Sequence, residues 1–284
     1  MNDLRTFAGI EEEFAGFENA GILLQSVPYD GTSTWGKGAD GGFEAFLEAA
    51  ENMEIYDIET DSEVFRQGIH ILPEICEDSS PEAVYRAVLQ KTRDLLSLGK
   101  FLTFFGGEHS ISIGIIEAFR KEYPRLTVLQ LDAHADLRPE YLGSPYNHAC
   151  ALHAATLNTT LVPVGRRSMD ISEQPSLNPR QCFFAHDIHR DRSWMESSIE
   201  LMGDLVYLTI DLDVLDPSIM PSTGTPEPGG MDWYTMLIYL EKVFRSKTVL
   251  GFDIVEFAPI PGLKAPGSLV AKLYYKLLSY KFRP

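Results

Sequence analysis

Leu126-Thr-Val-Leu-Gln-Leu-Asp-Ala-His-Ala-Asp136 is a mostly apolar, strand-forming run that ends abruptly in two aspartates and a histidine. A run without polar alternation is what a strand covered on both faces of a parallel sheet looks like. The arrangement recurs where Leu205-Val-Tyr-Leu-Thr-Ile210 ends in Asp211-Leu-Asp213. Alternate residues of an extended chain share a face, so Asp132, His134 and Asp136 are expected to project together, as are Asp211 and Asp213. Carboxylates massed at strand ends repel one another unless a cation sits between them, so the pattern predicts a metal site.

Outward from these two runs the chain repeats strand, loop and helix, which predicts an α/β fold. Strands are expected at 21–25, 100–105, 126–131, 161–164, 182–185, 205–210 and 248–255. Helices are expected at 43–52, 80–98, 110–123, 193–202, 233–244 and 268–280. Ser80-Pro81 supplies an N-cap and a first-turn proline, and Gly99 a C-terminal stop. The segment Ile55–Glu74 reads as a small hairpin or an extended excursion. No linker, repeat or low-complexity tract divides the chain, so residues 1–284 are expected to form a single domain. Ligands of such sheets bind outside the carboxyl ends of the strands. Gly106-Gly-Glu-His109, Asp132–Asp136, Asp211–Asp213 and Asp253–Glu256 all fall there.

The composition narrows the partners. A formal charge of −17 argues against nucleic acid and anionic membranes, which require basic surfaces. No apolar stretch is long enough to span a bilayer, and the start does not read as a signal peptide. Three scattered cysteines without a CxxC pair fit a reducing, cytoplasmic setting. Cys150 reads as a packed small residue, and His70, His153, His186 and His189 lack partners at metal spacing.

Collecting the strand-end candidates gives His109, Asp132, His134, Asp136, Asp211 and Asp213. Six oxygen and nitrogen donors are too many for one tetrahedral zinc but suit two ions sharing carboxylates, and an oxygen-rich set with two imidazoles favours Mn²⁺ over zinc or copper. Two such ions about 3.5–4 Å apart could share a water and lower its pKa toward neutrality. Four aspartates and a hydroxide against two dications leave a slightly anionic site, suited to a cationic electrophile.

Gly106-Gly-Glu-His109, Asp132-Ala-His-Ala-Asp136 and Thr209-Ile-Asp-Leu-Asp-Val-Leu-Asp-Pro217 resemble the signatures of the ureohydrolases, the arginase and agmatinase family. Pro28-Tyr-Asp-Gly-Thr-Ser33, Thr223-Gly-Thr-Pro-Glu-Pro-Gly-Gly230 and Gly251-Phe-Asp-Ile-Val-Glu256 extend the resemblance over almost the whole chain. It implies a three-layer α/β/α domain on a mostly parallel sheet of about eight strands. It also implies two Mn²⁺ per subunit, other divalent ions being possible, and a homotrimer or homohexamer. His109, Asp132, Asp136 and Asp211 would serve one or both ions, with His134 and Asp213 completing the second. Two further positions enter only through the resemblance, Glu256 as the acid that grips a guanidinium and His148, near the pocket mouth, as a proton shuttle, while Asp136 would take the hydroxide proton and pass it to the departing amine.

The implied reaction is hydrolysis of a guanidino C–N bond in a small cationic substrate, releasing urea and an amine. The loop Leu137–Tyr146 lacks the Ser/Asn-rich string of arginases and carries Glu140, which could face a distal ammonium. Agmatine, giving putrescine and urea, is the first choice. Arg138 speaks for a carboxylated alternative such as guanidinobutyrate, formiminoglutamate or arginine; aminopropylagmatine, guanidine and a non-catalytic metal-binding role complete the alternatives. Departures at Gly41–Phe43, Ala149-Cys150 and Pro266–Ser268 leave all six ligands in place.

Overall fold

The apolar runs become strands because both of their faces are covered. The computed structural model describes residues 5–283. Its strands are β1 (Ile22–Val27), β2 (Ile69–Ile71), β3 (Phe101–Gly106), β4 (Thr127–Leu131), β5 (Thr160–Arg166), β6 (Phe183–Phe184), β7 (Leu205–Asp211) and β8 (Thr248–Val255). All pair in parallel, in the order β2-β1-β3-β8-β7-β4-β5-β6. Within β7, Val206, Leu208 and Ile210 enter one core while Tyr207 enters the other. Leu129 and Leu131 of β4 split from Val128 in the same way. Each such fully buried side chain contributes about 1.5–3 kcal/mol, so a hydrophobic residue is favoured at every strand position.

One core lies under helices Gly42–Ala50, Ser193–Leu201, Trp233–Ser246 and Ala265–Lys281; the other lies under Pro81–Leu96 and Ile111–Glu122. The expected N-cap is formed: Ser80 Oγ accepts the Ala83 N–H at 3.1 Å, ahead of Pro81. That helix stops at Leu96, two residues short of the predicted end, and Gly99 follows at φ 67°. The last helix starts at Ala265 rather than Ser268, with Pro266 in its first turn where a missing N–H costs nothing. The ambiguous segment 55–74 holds an isolated antiparallel bridge between Asp57 and Ser62, then the edge strand β2. Three residues are too few to show a strand pattern, so β2 was not foreseen. No helix among the described residues is long and apolar enough to cross a membrane.

The sheet order does what the sequence order cannot show. The strands that end in chemistry, β3, β8, β7 and β4, are four consecutive neighbours at its centre. β3 and β4 follow one another in the chain but have two strands, β8 and β7, between them, and such a break in winding opens a crevice at the carboxyl edge.

Candidate metal centre

His109 stands at the edge because β3 turns sharply there. Gly107 packs so closely on the 27–29 segment that a Cβ would fall 1.9 Å from Tyr29 O, so no other residue fits. The turn is fastened by Gly107 N–H to Val27 O and Glu108 N–H to Tyr29 O, both 2.8 Å. From this position His109 Nε2 lies 2.9 Å from Thr209 Oγ1, whose own proton goes to Asp253 Oδ1 at 2.6 Å. Thr209 therefore accepts from Nε2–H, and the other ring nitrogen is turned to the crevice. There Nδ1 meets Asp136 Oδ2 at 3.1 Å, Asp132 Oδ2 at 3.2 Å and Asp211 Oδ2 at 3.4 Å. It makes no well-directed hydrogen bond to any of them, although it is buried.

A second group adjoins the first. His134 Nδ1 lies 2.8 Å from Asp213 Oδ2 and 3.8 Å from Asp132 Oδ1. Asp132 thus turns one oxygen to each imidazole, and His109–Asp132–Asp211 and Asp132–His134–Asp213 form two groups with the geometry to hold a metal ion that share it.

The expected mechanism of convergence needs correction. β4 ends at Leu131 and the 132–136 segment is a loop, so strand alternation does not aim these side chains. Local hydrogen bonds do: His134 N–H to Asp132 Oδ1 (2.6 Å) and Ala133 N–H to Asp213 Oδ1 (3.0 Å). Asp211 closes β7, but Asp213 sits in the short turn Leu212–Val214 and donates its N–H to Asp211 Oδ1 at 2.9 Å. Asp136 (φ 54°) and Glu256 (φ 64°) hold left-handed backbones, a strain of about 1–3 kcal/mol each that clusters at functional sites.

The charges do not balance internally. Burial, then Asp132, pushes the Asp136 carboxyl up to about 6, and burial with Asp213 holds Asp211 well above the usual range. Burial opposes charge on the imidazoles too, but the surrounding aspartates win: His109 stays well above its ordinary value, and Asp213 and Asp132 lift His134 to about 11. Buried oxygens and imidazole nitrogens without a thiolate, and a histidine whose far nitrogen is tied to Thr209 and Asp253, fit two divalent ions.

Beside the clusters is a pocket of about 200 Å³ that Asp136, Asp211, His134, His148, Thr225 and Glu256 help to line. Glu256 Oε1 accepts the His109 N–H at 2.8 Å, and burial and Glu108 keep its carboxyl well above the ordinary range. His148 is held by Thr32, which takes its N–H at 3.0 Å and faces Nδ1 at 3.1 Å; Thr32 in turn donates to Glu108 Oε1 at 2.8 Å. Burial, then the charges of His109 and His134, lowers His148 to about 4.

Glu140 is exposed and outside the pocket, whereas Arg138 lines it, 3.7 Å from Asp170 and stacked 4.5 Å over Tyr141. His153 Nδ1 bonds Leu137 O and His70 Nδ1 bonds Ala15 O, so both serve the backbone. Cys150 is buried and all three cysteines are free. Thr32, Thr209, Glu108 and Arg167 were not singled out beforehand. Thr209 left a signal, a polar residue in a strand buried on both faces. Arg167, which bonds the carbonyls of Asp213 and Glu227, both at 2.6 Å, and Pro228 at 3.1 Å, left none.

Comparison with known proteins agrees with this geometry. The sequence model of the arginase family matches residues 20–279. The N(1)-aminopropylagmatine ureohydrolase of Thermus thermophilus is 37% identical over 252 residues, 87% of this chain and 86% of that one. The enzyme of the same name from Synechocystis sp. is 32% identical over 280 residues, covering 95% and 92%. The crystal structure of agmatine ureohydrolase of Thermoplasma volcanium superposes with a TM-score of 0.87 at 27% identity, over 99% of this chain and 95% of that one. With its eight-stranded parallel sheet and its paired His/Asp clusters, the chain belongs to the arginase family of ureohydrolases.

Proposed function

We propose that this ureohydrolase cleaves agmatine to putrescine and urea, with His109, Asp132, His134, Asp136, Asp211 and Asp213 as ligands of two Mn²⁺ ions. The carrying observation is the charge of the pocket. Beyond the acids assigned to the ions, Asp170, Glu173 and Glu256 line it against one arginine, and that arginine, Arg138, is opposed by Asp170. A guanidinium with a distal ammonium suits such walls, and a carboxylated tail does not.

Two divalent ions held there would supply an activated water and a Lewis-acid field at the guanidinium carbon. The rest is work for the chain's own residues. Glu256 orients the substrate cation by charge-assisted hydrogen bonds, its position fixed by the His109 N–H. Asp136 takes the proton of the attacking water and passes it to the amine nitrogen as the C–N bond breaks. His148 restores the resting protonation. The Thr32 hydroxyl proton is engaged by Glu108, so Thr32 accepts from Nδ1–H and leaves Nε2 of His148 as the free base.

A second reading, N¹-aminopropylagmatine, is favoured by the names of the Thermus and Synechocystis relatives. Asp170 at the exposed rim is an acid within reach of a longer, doubly cationic tail. Urea release with Mn²⁺ over agmatine, N¹-aminopropylagmatine, arginine, guanidinobutyrate, formiminoglutamate and guanidine tests both. Fastest turnover of agmatine is expected; a higher kcat/KM for the aminopropyl compound selects the second reading. Preference for a carboxylated substrate overturns the charge argument, and no turnover with metal bound leaves a non-catalytic binding protein. The family's trimer or hexamer is the assembly we propose, and light scattering measures it.

A further inference from the structure

Arg166, the last residue of β5, is 1% exposed, and no carboxylate among the described residues lies within salt-bridge distance of it. Burying a guanidinium without a carboxylate partner costs several kcal/mol after relaxation, and its Nε and Nη1 make no well-formed hydrogen bond, the buried Cys182 thiol being the group that favours its charge most. Packing alone would place an aliphatic residue here. What Arg166 does have is one engaged nitrogen: Nη2 donates to Gln130 Oε1 at 2.6 Å and to Ala135 O at 3.0 Å. Gln130, fully buried on β4, donates through Nε2 to Asp132 Oδ2 at 2.8 Å and reaches His134 O at 3.4 Å.

The direction of this chain is dictated by chemistry. An amide can sit either way round, and turned over it would press an acceptor oxygen against the carboxylate of Asp132. Arginine can only donate, so it draws Oε1 to itself and leaves Nε2 for Asp132. The oxygen so held, Oδ2, is the one that faces His109 Nδ1. We propose that Arg166 is a positioning residue of the metal centre, acting through Gln130 on Asp132 and through Ala135 O on the loop that carries His134 and Asp136. This rests on the ligand assignment proposed above.

The alternative, in which Arg166 acts only as a charge, predicts the opposite sign. A cation behind the site repels dications, so its removal would tighten metal binding. A packing role would lower the melting temperature of the metal-free protein and leave metal affinity alone. Calorimetric titration of metal-stripped protein with Mn²⁺ separates all three. Arg166→Met and Gln130→Leu are each expected to weaken Mn²⁺ binding by about tenfold, the lower end for residues that orient a ligand. The double variant is expected to lose no more than Arg166→Met alone, and Arg166→Lys, which keeps a donor, to recover part of the loss. Unchanged or tighter binding by Arg166→Met, or additive losses in the double variant, overturns the proposal. If one single variant does not fold, the other decides: Gln130→Leu with wild-type affinity is equally fatal. Failure of the unmodified protein to bind Mn²⁺ would instead sink the ligand assignment itself.

Discussion

Two buried charge clusters lie in different parts of this molecule, and only one of them carries its own counter-charge. Lys276, on the last helix, is 5% exposed and pairs with Asp57 at 3.0 Å and with Glu59, over the ring of Tyr280. Asp57 also collects the N–H groups of Glu59 (3.0 Å) and Thr60 (3.2 Å). Burial pushes its carboxyl up, but Lys276 and these donors hold it below the ordinary value. This cluster carries its own counter-charge and pins the 55–62 excursion to the helix. At the carboxyl edge of the sheet, four aspartates and Glu256 converge on two imidazoles, and the carboxyls of Asp136, Asp211 and Glu256 are driven up, while the imidazoles hold that of Asp132 down. The first cluster meets its charge from within; the second gathers more acid than its two imidazoles offset.

The contrast predicts crossed effects. Asp211→Asn is expected to lower kcat for urea release by about a thousandfold or more, roughly 4 kcal/mol of transition-state stabilisation. The same change should raise the melting temperature of the metal-free protein, because it removes a repelled carboxylate. Lys276→Met should do the reverse. Stranding Asp57 costs about 3–5 kcal/mol in denaturant unfolding, while kcat per folded molecule is unchanged. Loss of metal-free stability in Asp211→Asn would break the distinction.

The pH dependence sharpens it, since the clusters have opposite signs. Asp57 has a depressed folded pKa, so its stabilising share is present above the ordinary value of 3.8 and is lost as pH falls through the lower folded value. Asp136 is raised to about 6, so its share is full below 3.8 and is lost as pH climbs from 3.8 to about 6. Metal-free protein should therefore gain stability from the first group on the acid side and lose it to the second toward neutrality. Asp136→Asn is expected to flatten the falling limb and Lys276→Met the acid one, both read by thermal melts. The increment from added Mn²⁺ should grow with pH, because bound ions displace protons. A Mn²⁺ increment that shrinks with rising pH contradicts the assignment.

Much of this was legible in the chain. Buried parallel strands betray themselves as unbroken apolar runs, and the residue after each run falls at the carboxyl edge whatever the sheet order. That is why Asp132 and Asp211 could be named without coordinates, and His109 a few residues past its run, whereas the role of Glu256 came through the family resemblance. The order β3-β8-β7-β4 was not legible, because which strands become neighbours depends on crossover packing of distant helices. Nor was the loop conformation of 132–136, where hydrogen bonds replace alternation. Lys276 and Asp57 were invisible as a pair: nothing local links residues on the last helix and on an early excursion.

Thr32 decides on which side of the comparison Glu108 falls. Burial lifts Glu108 to about 7, yet it accepts from Thr32 Oγ1 (2.8 Å), Ser110 N (2.7 Å) and Ser110 Oγ (2.8 Å), so by its partners it resembles the first cluster. By its connection it belongs to the other one, because the Thr32 hydroxyl it engages also faces Nδ1 of His148. Thr32→Val keeps the shape and deletes the link. If the link serves His148, kcat falls by about tenfold, roughly the upper worth of one uncharged hydrogen bond, while KM holds and Thr32→Ser restores the rate. Histidine ¹⁵N shifts should then show both tautomers of His148 in place of one. A lower melting temperature with kcat and the nitrogen spectrum intact would make Thr32 a brace for a satisfied acid, and would move Glu108 to the structural side.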